Sequence, residues 1–282
     1  MTDTVEKIGG SIIQHGRTNQ RIYLMKSSAE DLPGLIDQLD ELAARDNYSK
    51  IFAKIPASQR GMFLQKGFHV EASVPCLFNG REQGLFLGKY PIGERGVENK
   101  EDLVNDILKK AKTKQGLVSG ICLAECTCRP LFSEDMEQAA GLYRFIFASY
   151  PFPIHDPEYL RSTMDHIAYY GVWSEEQLVA LSSAEIDFEN SNAEMTDFAT
   201  HPDFRGKGLA GFLLARMETD MKDRQIATLY TIARAYSYGM NITFAKNGYC
   251  FSGTLTNNTQ ISGKLESMNV WYKLLPAAFE RM

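Results

Sequence analysis

The sequence predicts an α/β (α+β) protein: a mixed, mostly antiparallel central sheet flanked by helices, preceded by a smaller N-terminal α/β domain. Three observations lead there. Runs with helical apolar spacing alternate with short strand-like runs along the chain. The C-terminal half reads strand, two helices, three quick strands, long helix, strand, helix, two strands. A glycine-bearing turn, Arg205-Gly206-Lys207-Gly208, opens the long helix.

The N-terminal domain is expected to span 1–115. Residues 21–26 read as a strand, and 31–45 place Leu32, Leu35, Ile36, Leu39 and Leu42 at helical spacing. Residues 49–55 alternate as a strand would. A short helix over 59–66 ends at Gly67, and two strands, 69–78 and 84–90, follow around an Asn79-Gly80 turn. A helix over 101–114 closes the domain. The second domain, 116–282, begins with a strand at 122–129. An amphipathic helix follows at 134–147, with Ser133 as its expected N-cap. The proline-rich stretch 150–157 breaks it, and a short helix over 158–164 comes next. Strands at 166–173, 177–187 and 193–200 lead to the long helix at 209–224. A strand at 228–233, a helix at 238–246 and strands at 249–255 and 268–274 finish the chain. Gln65-Lys66-Gly67-Phe68 and Ala245-Lys246-Asn247-Gly248-Tyr249 each follow a strand and a short helix and each open a strand pair. The N-terminal domain therefore reads as a reduced copy of the second half of the C-terminal one.

Composition narrows the function. With 282 residues, 44% apolar and 23% charged, the chain has the makeup of a two-domain globular protein. A net charge of -5 with no clustered Lys and Arg points away from nucleic acid and toward a small cationic substrate. Residues 1–16 hold no apolar stretch typical of a signal peptide, and no run is long enough to cross a membrane. Cys122, Cys126 and Cys128 are spaced Cys-x3-Cys-x-Cys, unlike a zinc knuckle, so no metal is expected. Reduced thiols make the cytoplasm the default location.

Residues 193–224 carry the chemistry. A strand runs through His201-Pro202 into Arg205-Gly206-Lys207-Gly208-Leu209-Ala210. Glycines let backbone approach a ligand, and the free N–H groups and dipole of the helix start favour an anion. Arg205 and Lys207 add positive charge, and a pyrophosphate is the natural occupant. Neither the P-loop nor the dinucleotide glycine fingerprint is present.

Arg-x-x-Gly-x-Ala after a strand ending in His-Pro resembles motif A of the GCN5-related N-acetyltransferases (GNAT), over about residues 120–275. The tail, with Tyr238-Gly239-Met240-Asn241, Asn257-Asn258 and Glu266 to Lys273, together with the extra N-terminal domain, resembles the β-lysine N-acetyltransferases. The resemblance implies acetyl-CoA as co-substrate, held by Arg205, Gly206, Lys207, Gly208 and Ala210. A strand through Phe198 and Thr200 would pair with the pantetheine arm. A main-chain N–H near Phe198 would polarise the thioester. It implies acetylation of the ε-amine of β-lysine, giving a compatible solute. A polyamine or another amino acid as acceptor, or a non-catalytic acetyl-CoA sensor, are the alternatives.

An amine attacks only when neutral, and a lysine-like amine has a pKa near ~10.4, so a base is required. Glu194 is the favoured base, with Asp197 as the other catalytic carboxylate. They are three apart, so a regular strand would face them oppositely, and a bulge would change that. Phe244 stands where the family often has a tyrosine acid, so the expected substitutes are Tyr238, Tyr236, water or direct transfer from the amine. Glu185, Asp187 and Glu266 are expected to hold an ammonium, and Asn241 and Asn269 to orient the acceptor. Residues 150–157 are expected to cover it as a stiff lid. The sequence leaves a homodimer open.

Overall fold

The computed structural model describes residues 3–117, 126–261 and 263–276. Strands β1 (Thr4–Ile8), β2 (Ser11–Gly16), β3 (Arg21–Lys26) and β4 (Lys50–Pro56), then β5 (His69–Phe78) and β6 (Glu82–Lys89), form a sheet ordered β1-β2-β3-β4-β6-β5. Helix α1 (Gly34–Asp46) makes the β3–β4 crossover, and α2 (Arg60–Gln65) follows β4. Leu35, Ile36, Leu39, Leu42 and Ala43 form the buried stripe of α1, and Asn47 ends it in the left-handed region. The pair β1 and β2 was not expected. β1 is exposed along most of its length and lacks the alternation that marks a strand in sequence.

After α3 (Glu101–Lys112) come β7 (Cys126–Pro130), α4 (Met136–Ile146), α5 (Pro157–Ser162), β8 (Ile167–Ser174), β9 (Gln177–Asp187) and β10 (Asn192–Thr200). Then follow α6 (Leu209–Asp223), β11 (Thr228–Arg234), α7 (Tyr238–Lys246), β12 (Cys250–Ile261) and β13 (Lys264–Leu274). The second sheet runs β12-β13-β11-β10-β9-β8-β7. Of the strand expected over 122–129, residues 122–125 lie outside the described residues. Ser133 does not cap α4. A short turn precedes the helix, and the Asp135 carboxylate accepts the Phe132 N–H at 2.8 Å. Helix α3, expected on the N-terminal side of a boundary at 115/116, sends Val104, Leu108 and Ala111 into the C-terminal core beside Phe244 and Ala245.

The two sheets repeat one topology. Strands β1-β2-β3-β4-β6-β5 and β8-β9-β10-β11-β13-β12 have the same order and the same senses, including one parallel pair each, β3/β4 and β10/β11. Helices α1 and α6, and α2 and α7, fill corresponding connections. The copy is larger than the sequence suggested: it includes the two strands before the parallel pair and lacks only β7, α4 and α5.

The repeats meet through the sheet faces opposite α1 and α6. Tyr23, Phe52, Val74 and Phe86 pack with Tyr230, Leu255, Met268 and Val270 in one shared core. Corresponding edge strands β5 and β12 also touch. A Cβ at Gly253 would lie 2.1 Å from the Glu71 carbonyl oxygen and 2.9 Å from Ala72 Cβ, so only glycine allows this approach.

Candidate functional site

The long helix α6 opens on Gly208, which is left-handed (φ 80°), and no side chain caps it. Gly206 is also left-handed (φ 77°), and a Cβ there would meet nothing within 4 Å. Uncapped N–H groups therefore face an open groove. Phe198, Thr200, Arg205, Gly206, Gly208 and Ala210 line it, opposite Arg234, Ser237, Gly239 and Met240. Lys207 is not in its wall; its ammonium sits 4.4 Å over the Phe204 ring.

Strand β10 pairs with β11 only at 192–194 and with β9 along 192–200. Beyond Glu194 the two parallel strands splay, leaving one edge of β10 unpaired beside the groove. An extended amide-bearing chain can add to such an edge. Donors, glycines and free edge together fit a coenzyme A pyrophosphate and pantetheine arm.

The groove leads through a narrow passage into a second cavity. Phe147, Phe198, Arg234, Met240 and Phe244 line the passage, and Tyr150, Thr196 and Asp197 border both it and the cavity beyond. That cavity is walled by Glu185, Glu194 and Asp197 from β9 and β10, and by Arg21, Tyr23, Met25 and Lys54 from β3 and β4. Pro151 and Phe152 close it, so the expected lid segment does lie over it. The lid is tied to the N-terminal repeat, since Gln14 Nε2 donates to the Pro151 carbonyl at 3.3 Å.

A bulge brings the carboxylates together. The β9/β10 register slips between Thr196 and Ala199, with Asp197 left-handed (φ 56°). This turns Asp197 to the face that Glu194 occupies. Glu194 stands directly across from Glu185 in the antiparallel register. Like charges so placed repel. Burial, reinforced by Glu194 and Asp197, pushes Glu185 up to about 8. Burial also raises Glu194, while Lys54 and the Tyr230 hydroxyl pull it back. Asp197 is raised by burial against three hydroxyl donors. Ser183 Oγ donates to it at 2.6 Å, Thr196 at 3.3 Å, and the Tyr150 hydroxyl also donates. Burial, then the Asp197 charge, holds the Tyr150 phenol well above its usual range.

Five expected site residues lie elsewhere. Asp187 accepts the Asn190 N–H at 3.0 Å and its side-chain amide at 2.8 Å, fixing the β9–β10 turn. It shares a face with Glu185 but sits at the strand end, outside the acidic cavity. Glu266 is clamped by Arg234 at 2.6 and 2.9 Å, behind the groove wall. Asn241 is fully buried: its amide donates to the Arg234 and Ser237 carbonyls, and its oxygen accepts from Asn269 at 2.8 Å and Trp271 at 2.9 Å. Asn269 in turn accepts from Thr254 at 2.8 Å. Both asparagines are saturated by protein. Tyr238 points to α3, donating to Asp106 at 2.5 Å, and does not reach the passage.

Residues that sequence reading missed are Arg21, Tyr23 and Lys54, which belong to the other repeat, and Tyr150 and Ser183, which bond Asp197. The repeat signalled a second sheet but not that it faces the first, and Tyr150 was expected only as part of the lid. Phe244 is fully buried against Phe198 and Tyr249, at ring separations of 5.6 and 5.1 Å, and forms passage wall. No group of three or more potential metal ligands clusters among the described residues. No described helix is long and apolar enough to cross a membrane.

Residues 134–249 match the acetyltransferase (GNAT) family. The chain is 37% identical over 274 residues to the β-lysine N(6)-acetyltransferase of Methanococcus maripaludis, covering 96% of this chain and 99% of that protein. It is 39% identical over 269 residues to N-acetyltransferase YodP of Bacillus subtilis, covering 94% and 96%. It is 32% identical over 251 residues to the β-lysine N(6)-acetyltransferase of Methanosarcina mazei, covering 87% and 88%. These similarities run through both repeats.

Proposed function

The chain belongs to the acetyltransferase (GNAT) family, and we propose that it transfers acetyl from acetyl-CoA to the ε-amine of β-lysine. The observation that carries this reading is the passage: an anion-binding groove with a free strand edge opens into a carboxylate-lined cavity. The names and coverage of the relatives support the acceptor.

Acetyl-CoA supplies an activated thioester carbonyl. Backbone N–H groups of residues 206–210 hold its pyrophosphate, assisted by Arg205. The free edge of β10 takes the arm, and a main-chain N–H near Phe198 stabilises the developing oxyanion. Glu194 accepts the proton of the attacking amine. Its raised pKa suits a base that must work near neutrality. Glu185 holds a proton beside it, so the pair carries about one negative charge. Tyr150, neutral and bonded to Asp197 at the passage, is the proposed donor to the departing thiolate. It takes the place of Tyr238, which is turned away.

Acetylation removes the charge of one amine of β-lysine and leaves a zwitterion of zero net charge. Such a product suits a compatible solute made in the cytoplasm. The test is coenzyme A release by the purified chain with β-lysine, α-lysine and spermidine. β-Lysine is expected to give the highest kcat/KM. Preference for spermidine would reassign the acceptor, and acetyl-CoA binding without turnover of any amine would make the chain a sensor.

A further inference from the structure

The two repeats contribute opposite charges to the acceptor cavity. By strand register, Tyr23 faces Gln14 in the first repeat as Glu194 faces Glu185 in the second. The acidic pair of one repeat is thus replaced by neutral side chains in the other. Registers also align Lys50 with Thr228, through Arg21↔Lys50 and Asn192↔Thr228, which makes Lys54 the counterpart of Ile232. Both line the cavity, but only the first repeat presents a cation there. Carboxylates come from one wall and cations from the other.

The charges are also ordered along the cavity. Asp197 and Tyr150 border the passage to the groove. Lys54 and Met25 border a different, adjoining cavity, where Lys26 pairs with Glu189, Asp187 accepts from Asn190 and Glu82 also lines the wall. Lys54 is therefore at the end away from the thioester.

The two cations differ in commitment. Arg21 donates to the Asn258 carbonyl at 2.8 Å and to Thr259 Oγ1 at 3.0 Å, and lies against the Tyr23 and Phe52 rings. It is fixed to β12. The Lys54 ammonium donates to the Tyr230 hydroxyl at 3.0 Å, a neutral partner, and forms no ion pair with a carboxylate among the described residues. A half-buried ammonium without a contacting anion gains most from an anionic group in the cavity.

We infer that Lys54 of the N-terminal repeat binds the carboxylate of the acceptor, so that the repeat selects an amino-acid diamine over a diamine without a carboxylate. The inference rests on the acceptor reading proposed above. The terminal amine points through the passage toward Asp197 and Glu194, and the carboxylate end points toward Lys54. Lys54 is a specificity residue; its charge also lowers the pKa of Glu194, an effect common to every acceptor.

The test measures kcat and KM of wild type and Lys54→Met for β-lysine and for 1,5-diaminopentane, with thermal melting as the folding control. Lys54→Met is expected to raise KM for β-lysine about 10- to 100-fold, the usual range for a lost charge-assisted contact. KM for 1,5-diaminopentane should stay near wild type, any kcat change transmitted through Glu194 should be the same for both acceptors, and Lys54→Arg should keep the preference for β-lysine. Should Lys54→Met fail to fold, Lys54→Gln serves in its place. An unchanged KM for β-lysine overturns the inference alone. So does an equal rise in KM on both acceptors, which would limit Lys54 to holding the Glu185–Glu194 pair. If wild type acetylates the diamine and not β-lysine, the acceptor reading falls, and the inference with it.

Discussion

Glu194 and Glu185 oppose one another across an antiparallel pair, an arrangement that disfavours the fold. It makes chemical sense where a carboxylate must take a proton near neutral pH. Replacing Glu194 with Gln keeps the shape and removes the basicity. kcat/KM is expected to fall about 10²–10⁴-fold at neutral pH and to recover in part at high pH, where solvent deprotonates the amine. Acetyl-CoA affinity should not change. Near-normal turnover of Glu194→Gln at pH 7 would move the base elsewhere, first to Asp197. The sequence pointed to Glu194 and Asp197 because their strand leads into the glycine turn that follows, and to Glu185 on the strand before it. Asp187 turns to Asn190, three residues on, while Glu266, Asn241, Asn269 and Tyr238 lie away from the expected site for one reason. Spacing gives the face a side chain uses, while its partner comes from a distant segment, as Arg234 does for Glu266 and Asp106 for Tyr238.

Elements were legible where periodicity or turn chemistry was strong. The predicted spans for β5, β9 and α7 coincide with the observed ones. The exposed hairpin of β1 and β2 was missed, since its outer strand buries almost nothing. The start of α6 yields a sharp test. Gly208→Asp would strain a left-handed position and place a carboxylate where the pyrophosphate charge must sit. Calorimetry should find no acetyl-CoA binding with the fold intact; unchanged binding would remove the groove assignment. A second test separates scaffold from site. Asn241→Ala would leave the buried donors of Asn269 and Trp271 without their acceptor. It should cost about 2–4 kcal/mol of stability. KM for the amine, measured below the melting transition, should stay near wild type. A large KM effect without destabilisation would restore Asn241 as a substrate contact.

At the scale of the molecule, one supersecondary pattern was used twice and then divided. The second repeat keeps the glycine turn and the acidic pair. The first has Asp31 and Pro33 before α1 where the second has Gly206 and Gly208 before α6, and Gln14 and Tyr23 in place of the acids. The sequence revealed the copy through two short matches. It could not reveal that the copies face each other around the acceptor cavity, because that depends on packing between residues such as Phe86 and Tyr230. The shared cavity also sets a pH dependence of stability. Glu185 is raised to about 8 in the folded chain, so the folded state holds a proton that the unfolded state releases at lower pH. Stability from this group should therefore fall as pH rises from the ordinary carboxylate range through about 8. Urea midpoints at pH 6 and 8.5 should show that fall in wild type and a smaller one in Glu185→Gln. A steeper fall in the variant would contradict the sign.

The central claim is that the groove and the acidic cavity form one reaction path between the repeats. A crystal structure of the chain with coenzyme A and N-ε-acetyl-β-lysine tests it most directly. The pyrophosphate is expected on the N–H groups of residues 206–210, the thiol at the passage beside Phe198, and the acetylated nitrogen within reach of Glu194. An acceptor bound outside the cavity, or a pyrophosphate away from Gly206 and Gly208, would contradict it.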